Sequence, residues 1–85
     1  MYSSRFEMEL HLTKHAQQRM DQRDIDQLVL LDLIELGDLR YKDQSKGWIA
    51  KDFRSRTDNL ICAAIATEDK LVIKTVMHHF SWEID

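Results

Sequence analysis

The side chains best suited to chemistry fall in two places. His15, Arg19 and Arg23 recur every four residues in the stretch that opens at Thr13, and Thr75, His78 and His79 close the last apolar run. At roughly 100° per residue, Ala16 and Met20 form a narrow apolar helix stripe, and His15, Arg19 and Arg23 line one edge of it. An imidazole and two guanidinium groups at that boundary make either a half-buried cationic site or three side chains snorkelling from a surface helix. Three histidines could also hold zinc, but a closed site needs three or four converging ligands. Only His78 and His79 are neighbours, and adjacent side chains diverge on a regular strand. No metal and no cofactor is therefore expected, and His11 reads as a strand surface residue.

Other signatures are missing. Gly37 and Gly47 are the only glycines, so there is no glycine-rich phosphate loop, and the sequence holds no serine elbow, paired cysteines or H-E-x-x-H. With 85 residues, 44% of them hydrophobic and 32% charged, the chain reads as one globular domain near the lower size for a single core. Cys62 lies within the apolar run 60–66 and reads as a small core residue. With no leader segment and no apolar run near the ~20 residues that span a bilayer, a cytoplasmic protein without membrane contact is expected.

The net charge of −3 hides a segregation along the chain. Asp24, Asp26, Asp32, Glu35 and Asp38 fall in a stretch without a base, whereas Arg40, Lys42, Lys46, Lys51, Arg54 and Arg56 face only Asp43 and Asp52 in the next. Folding could thus set a basic surface opposite an acidic one.

These groups need elements to hold them. Phe6, Met8, Leu10 and Leu12 alternate with polar residues, the mark of a half-buried strand, while residues 1–4 read as loose. Thr13 is a cap for the first helix, and Asp24 with Gln27 forms a capping box for the second. That second helix, about 25–36, ends at Gly37 as a left-handed stop. It is apolar over most of its circumference and wants cover on two sides, so a homodimer or a bound partner is expected. Beyond it, strands are expected at 39–43, 48–53, 59–67 and 70–80, joined by short turns into an antiparallel meander. In the last of these, Leu71, Ile73, Thr75, Met77 and His79 would share one face, and either His78 or His79 could join His15. The expected class is α+β, two N-terminal helices packed on an antiparallel sheet of four to five strands.

The pattern T-x-H-A-x-x-R-M-x-x-R-x-I, here Thr13, His15, Ala16, Arg19, Met20, Arg23 and Ile25, resembles the bacterial group called domain of unknown function 4258. The helix closing on Leu36-Gly37 and the L-V-I-K-T-V strand, Leu71 to Val76, fit as well. The likeness runs from Leu12 to His78, with Asp24 where that group usually has glycine and Met77 where a polar or aromatic residue is usual. By resemblance the group belongs with the broad barnase, colicin and RelE-like superfamily of small ribonucleases, many of them toxins of toxin–antitoxin systems. The resemblance implies a single RelE/barnase-like domain over 1–85 that cleaves RNA without metal.

Such cleavage uses the 2′-hydroxyl as nucleophile, a base to take its proton, cations on the phosphate and an acid for the leaving 5′-oxygen. Carried onto this chain, the resemblance makes His15, Arg19, Thr75 and His78 the catalytic set. Arg23, Lys46, Lys51, Arg54, Arg56 and His79 would bind substrate, with Trp48 or Phe53 free to stack a base. The implied partners are RNA and a cognate antitoxin protein. The reading from another class is a noncatalytic homodimeric interaction module of the same fold, favoured by the acidic net charge and the apolar second helix.

Overall fold

A computed structural model describes residues 1–53 and 60–78, the side chains of 60–62 excepted. The elements follow as β1 (Tyr2–Ser3), β2 (Met8–Leu12), α1 (Lys14–Gln22), α2 (Gln27–Leu36), β3 (Asp38–Tyr41), β4 (Lys46–Asp52), β5 (Leu60–Thr67) and β6 (Leu71–Met77). They build one six-stranded sheet in the order β1-β2-β6-β5-β4-β3.

The sheet is mixed, which corrects the expected antiparallel sheet of four to five strands. β3 to β6 do form a meander, but β2 lies parallel to β6, with Leu10, His11 and Leu12 opposite Leu71, Val72 and Ile73. Short connections impose antiparallel pairing only on sequential strands. β2 and β6 are separated by both helices and three strands, ample chain for a parallel crossover. The start of the chain is also ordered: Tyr2 and Ser3 pair with Glu9 and Met8 as an extra edge strand. Ser3 is buried there, its hydroxyl accepting from Phe6 N at 3.2 Å.

Both helices lie on one face. Ala16 and Met20 of α1 and Leu30, Leu33 and Ile34 of α2 share one apolar cluster with Ile49, Ala63, Ile65, Leu71, Ile73 and Val76 of the sheet. Thr13 caps α1 as expected, its hydroxyl accepting from Ala16 N at 3.0 Å. α2 is capped by Asp26, not Asp24: the Asp26 carboxylate accepts from Val29 N at 2.9 Å. Asp24 instead takes a left-handed backbone, φ 54°, in the turn between the helices. Glycine adopts that conformation freely and aspartate is among the few residues that tolerate it, which suits Asp24 to this turn.

Gly37 is not a left-handed stop either. Its backbone is extended, φ −75° and ψ 167°, and glycine is required because a Cβ would stand 2.5 Å from Ile49 Cγ2 and 2.6 Å from the Leu33 carbonyl oxygen. Arg5 closes this helix end by donating from Nη1 to the carbonyls of Ile34 (3.2 Å) and Gly37 (2.7 Å), where a cation also suits the helix dipole.

Candidate functional site

The site begins with an irregularity between the two central strands. Thr75 pairs with Ala64, but the next pair is Ile73 with Ile65, so Lys74 has no residue opposite it and forms a β-bulge. The extra residue reverses the alternation. Val76 joins Leu71 and Ile73 in the core, and Thr75 turns to the face away from the helices. This corrects the expectation that Leu71, Ile73 and Thr75 share a face, which holds only for a regular strand. Thr75 thereby ends a cross-strand row, Arg40, Trp48, Ala64 and Thr75, read directly from the pairing registers.

On that face lies a hollow of about 140 Å³ lined by Lys42, Lys46, Gly47, Trp48, Ala64, Ile65 and Lys74. Three ammonium groups surround a half-buried indole, and no carboxylate lines the space. The β3–β4 turn sets two of the lysines. Asp43 accepts from the backbone N–H groups of Ser45 and Lys46, both at 2.9 Å, and Lys42 N donates to Lys46 O at 2.8 Å. These backbone hydrogen bonds, from Ser45 first and then Lys46, hold the Asp43 carboxyl below its ordinary pKa. Gly47 lets β3 come close: a Cβ there would stand 2.6 Å from the Arg40 carbonyl oxygen.

α1 starts against the same bulge. The Thr13 hydroxyl donates to the Lys74 carbonyl at 3.0 Å and Thr13 N donates to Ile73 O at 3.3 Å, so one residue both caps the helix and ties it to β6. His15 is the second residue of that helix and is exposed. Arg19, half-buried one turn on, donates from Nε toward His15 Nε2 at 3.5 Å and from Nη1 to Gln22 Oε1 at 3.0 Å. Arg23 is the C-cap of α1, roughly 12 Å from His15 at 1.5 Å per residue, at the end of the helix remote from the bulge.

The opposite edge of α1 carries the other sign of charge. Gln17, Met20 and Asp21 line a hollow of about 380 Å³ with Leu12, Ile25, Asp26 and Gln27.

Lys46 and Lys51, both expected to bind substrate, sit on opposite faces of β4. Lys51 pairs with Asp32 of α2 at 3.2 Å and stands over the Phe53 ring, 4.3 Å from its centroid, so it belongs to the helix side. Phe53 is a buried core residue, which leaves Trp48 as the aromatic side chain in the hollow. His78 is half-buried just after β6. Arg54, Arg56 and His79 lie outside the described residues. Among the described residues no three His, Cys, Asp or Glu side chains gather closely enough to hold a metal ion. Nor is any described helix long and apolar enough to cross a membrane.

Sequence reasoning missed Lys74 and gave Lys42 no role. Lys42 was within reach as part of the basic segment around the expected turn. Lys74 was legible as facing away from Leu71 and Ile73, but nothing in the residue pattern joined that face of the last strand to the basic segment.

No curated protein and no solved structure matches this chain. A family model described as a domain of unknown function, DUF4258, matches residues 12–78, from the last residue of β2 to the residue after β6. That span takes in α1, the bulge and the lysine hollow together, and the chain belongs to the DUF4258 family.

Proposed function

We propose that this protein is a small metal-independent endoribonuclease of RelE/barnase-like type, the cytoplasmic toxin of a toxin–antitoxin pair, held inactive by a protein partner that covers its basic face. One observation carries the reading. The β6 bulge turns Thr75 toward the face that holds Trp48 and three lysines, and the helix bearing His15 and Arg19, which packs on the other face, starts at that same bulge through the bond from Thr13 to the Lys74 carbonyl.

The chemistry asks for what these residues offer. The 2′-hydroxyl of RNA attacks the adjacent phosphorus as a base removes its proton. The bond from phosphorus to the 5′-oxygen then breaks as an acid protonates that oxygen, leaving a 2′,3′-cyclic phosphate and a 5′-hydroxyl. His15 and His78 are the two imidazoles for these proton transfers, one taking the proton of the 2′-hydroxyl and the other giving one to the 5′-oxygen. Arg19 forks onto the phosphate and the Thr75 hydroxyl donates to it, while Arg23, at the far end of α1, is left to a phosphate further along the strand. Lys46, with Lys42 and Lys74, draws the strand to the face by charge.

The test is purified protein incubated with single-stranded RNA in excess chelator. Products ending in 2′,3′-cyclic phosphate are expected. Intact RNA at protein concentrations that reveal even weak turnover overturns the reading.

A second reading, the noncatalytic homodimer, draws on α2, where Leu28 and Leu36 are 78% and 70% exposed. Light scattering distinguishes it: a tight dimer that Leu28→Glu dissociates, with no RNA affinity at any salt concentration, selects the interaction module.

A further inference from the structure

We infer that the hollow around Trp48 is a subsite for one unpaired nucleotide of single-stranded RNA, next to the scissile phosphate and not at it. The base stacks on the indole, and Lys46 and Lys74 hold its phosphate. The choice of RNA as the polymer rests on the ribonuclease reading; the subsite itself rests on the hollow.

Three features converge. The lining offers two kinds of attraction, ammonium charge and an aromatic face, and these are the two that unpaired nucleotides answer. An acidic peptide would use the lysines but leave the indole without a planar partner. The position is set by register: Trp48 is two strands from Thr75, with only Ala64 between them, so their backbones are roughly 10 Å apart at ~4.8 Å per strand. The small Ala64 side chain leaves the floor open, and a phosphate at Thr75 and a base at Trp48 belong to neighbouring parts of one strand.

The lining also predicts what the subsite ignores. Its side chains are lysine, tryptophan, alanine and isoleucine, with no carboxylate, amide or hydroxyl to read a base edge. The subsite is therefore tolerant of sequence and selective for strandedness, since a base paired inside a duplex cannot reach the indole.

The experiment uses the whole protein and a fluorescent 2′-O-methyl RNA hexamer, which binds but cannot be cleaved. Trp48→Ala is expected to weaken binding about 5- to 150-fold and Trp48→Phe by less than about threefold. Ala64→Leu, which fills the floor from the exposed side, is expected to weaken it as well. Lys74→Gln should lower the slope of log affinity against log salt by ~0.7, and annealing the hexamer to its complement should abolish the Trp48 dependence. Unchanged affinity in Trp48→Ala and Ala64→Leu overturns the subsite; should Trp48→Ala fail to fold, Ala64→Leu with Lys74→Gln decides alone.

Cleavable RNA separates this inference from the activity. A raised KM with unchanged kcat in Trp48→Ala supports a neighbouring subsite. Wild-type cleavage that is indifferent to both Trp48 and Ala64 removes the subsite and leaves the ribonuclease standing. Trp48-dependent binding with no cleavage by the wild type does the reverse.

Discussion

Two hollows among the described residues differ in size and in charge, and the proposed function takes the smaller, against the ordinary guide that favours the larger concavity. The larger, at the junction of α1 and α2, is lined by Asp21 and Asp26 around Met20 and Ile25. One of those carboxylates is already engaged, since Asp26 accepts from the first turn of α2. The smaller hollow holds three lysines around an indole, and the nearby carboxylate, Asp43, binds backbone N–H groups that shape the turn. Around these two hollows the acids Asp26 and Asp43 hold a cap and a turn, while Lys42, Lys46 and Lys74 line open space. α1 divides the two: Gln17 and Asp21 on one edge, His15 and Arg19 on the other.

The sharpest way to break this division is to change both edges of α1. His15→Ala should lower RNA cleavage about 10²- to 10⁴-fold, the usual worth of a positioned proton-transfer group. Because His15 is exposed, its melting temperature should hardly move. Asp21→Asn, on the same helix, should leave the cleavage rate within about twofold of wild type. Initial rates beside thermal melts read both, and equal losses from the two edges would end the distinction.

The next comparison is between two lysines of one strand. Lys46→Gln should reduce the salt dependence of RNA binding by ~0.7 in slope, one phosphate contact on a single strand, with little change in stability. Lys51→Gln should do the opposite. It removes an ion pair with Asp32 and a cation held over Phe53, costing about 0.5–1 kcal/mol for these partly exposed groups, and leaves the salt slope alone. Binding isotherms across a salt series and urea midpoints separate them. A common slope change would mean that RNA reaches both faces of β4.

The same pair explains what could be read in the sequence. The two helices, the five strands from β2 onward to within a few residues, and the Thr13 cap follow from local periodicity and side-chain chemistry. The acidic and basic segregation was also legible, because it is a property of consecutive residues. The faces of β4 and β6 were not. A charge run assigns no direction to Lys46 or Lys51, and strict alternation misplaced Thr75 because a bulge costs one residue of register without any glycine or proline to announce it. The parallel pairing of β2 with β6 and the β1 edge are likewise long-range choices made by the core. The capping box at Asp24 and Gln27 lost to Asp26 because the turn needed a left-handed residue at position 24.

That turn gives a smaller test on the acidic side. Asp24→Gly should raise stability by a few tenths to about 1 kcal/mol, relieving the cost of an L-residue at φ 54°. RNA affinity should stay the same if binding belongs to the lysine face, which the α1–α2 junction does not line. Urea unfolding alongside hexamer binding checks both, and a gain in stability accompanied by lost affinity would assign that junction a binding role.

The smallest effect concerns pH at the turn that carries Lys42 and Lys46. Asp43 binds protons more weakly folded than unfolded, chiefly because Ser45 N–H and Lys46 N–H donate to its carboxylate. A depressed folded pKa means that its contribution is fully present above the ordinary aspartate value near ~3.9 and is lost as pH falls through the lower folded value. Lys42 and Lys46 therefore keep their positions across neutral pH and loosen only in acid. Carbon NMR of the Asp43 carboxyl should give a midpoint below the ordinary range, with faster amide exchange at Ser45 and Lys46 appearing over the same interval. Asp43→Asn keeps an acceptor oxygen without the charge, and should abolish the pH dependence while preserving most of the turn. An ordinary or raised midpoint would mean that the turn is held by the strand bonds around it, and that the lysines owe their placement to β3 and β4 alone.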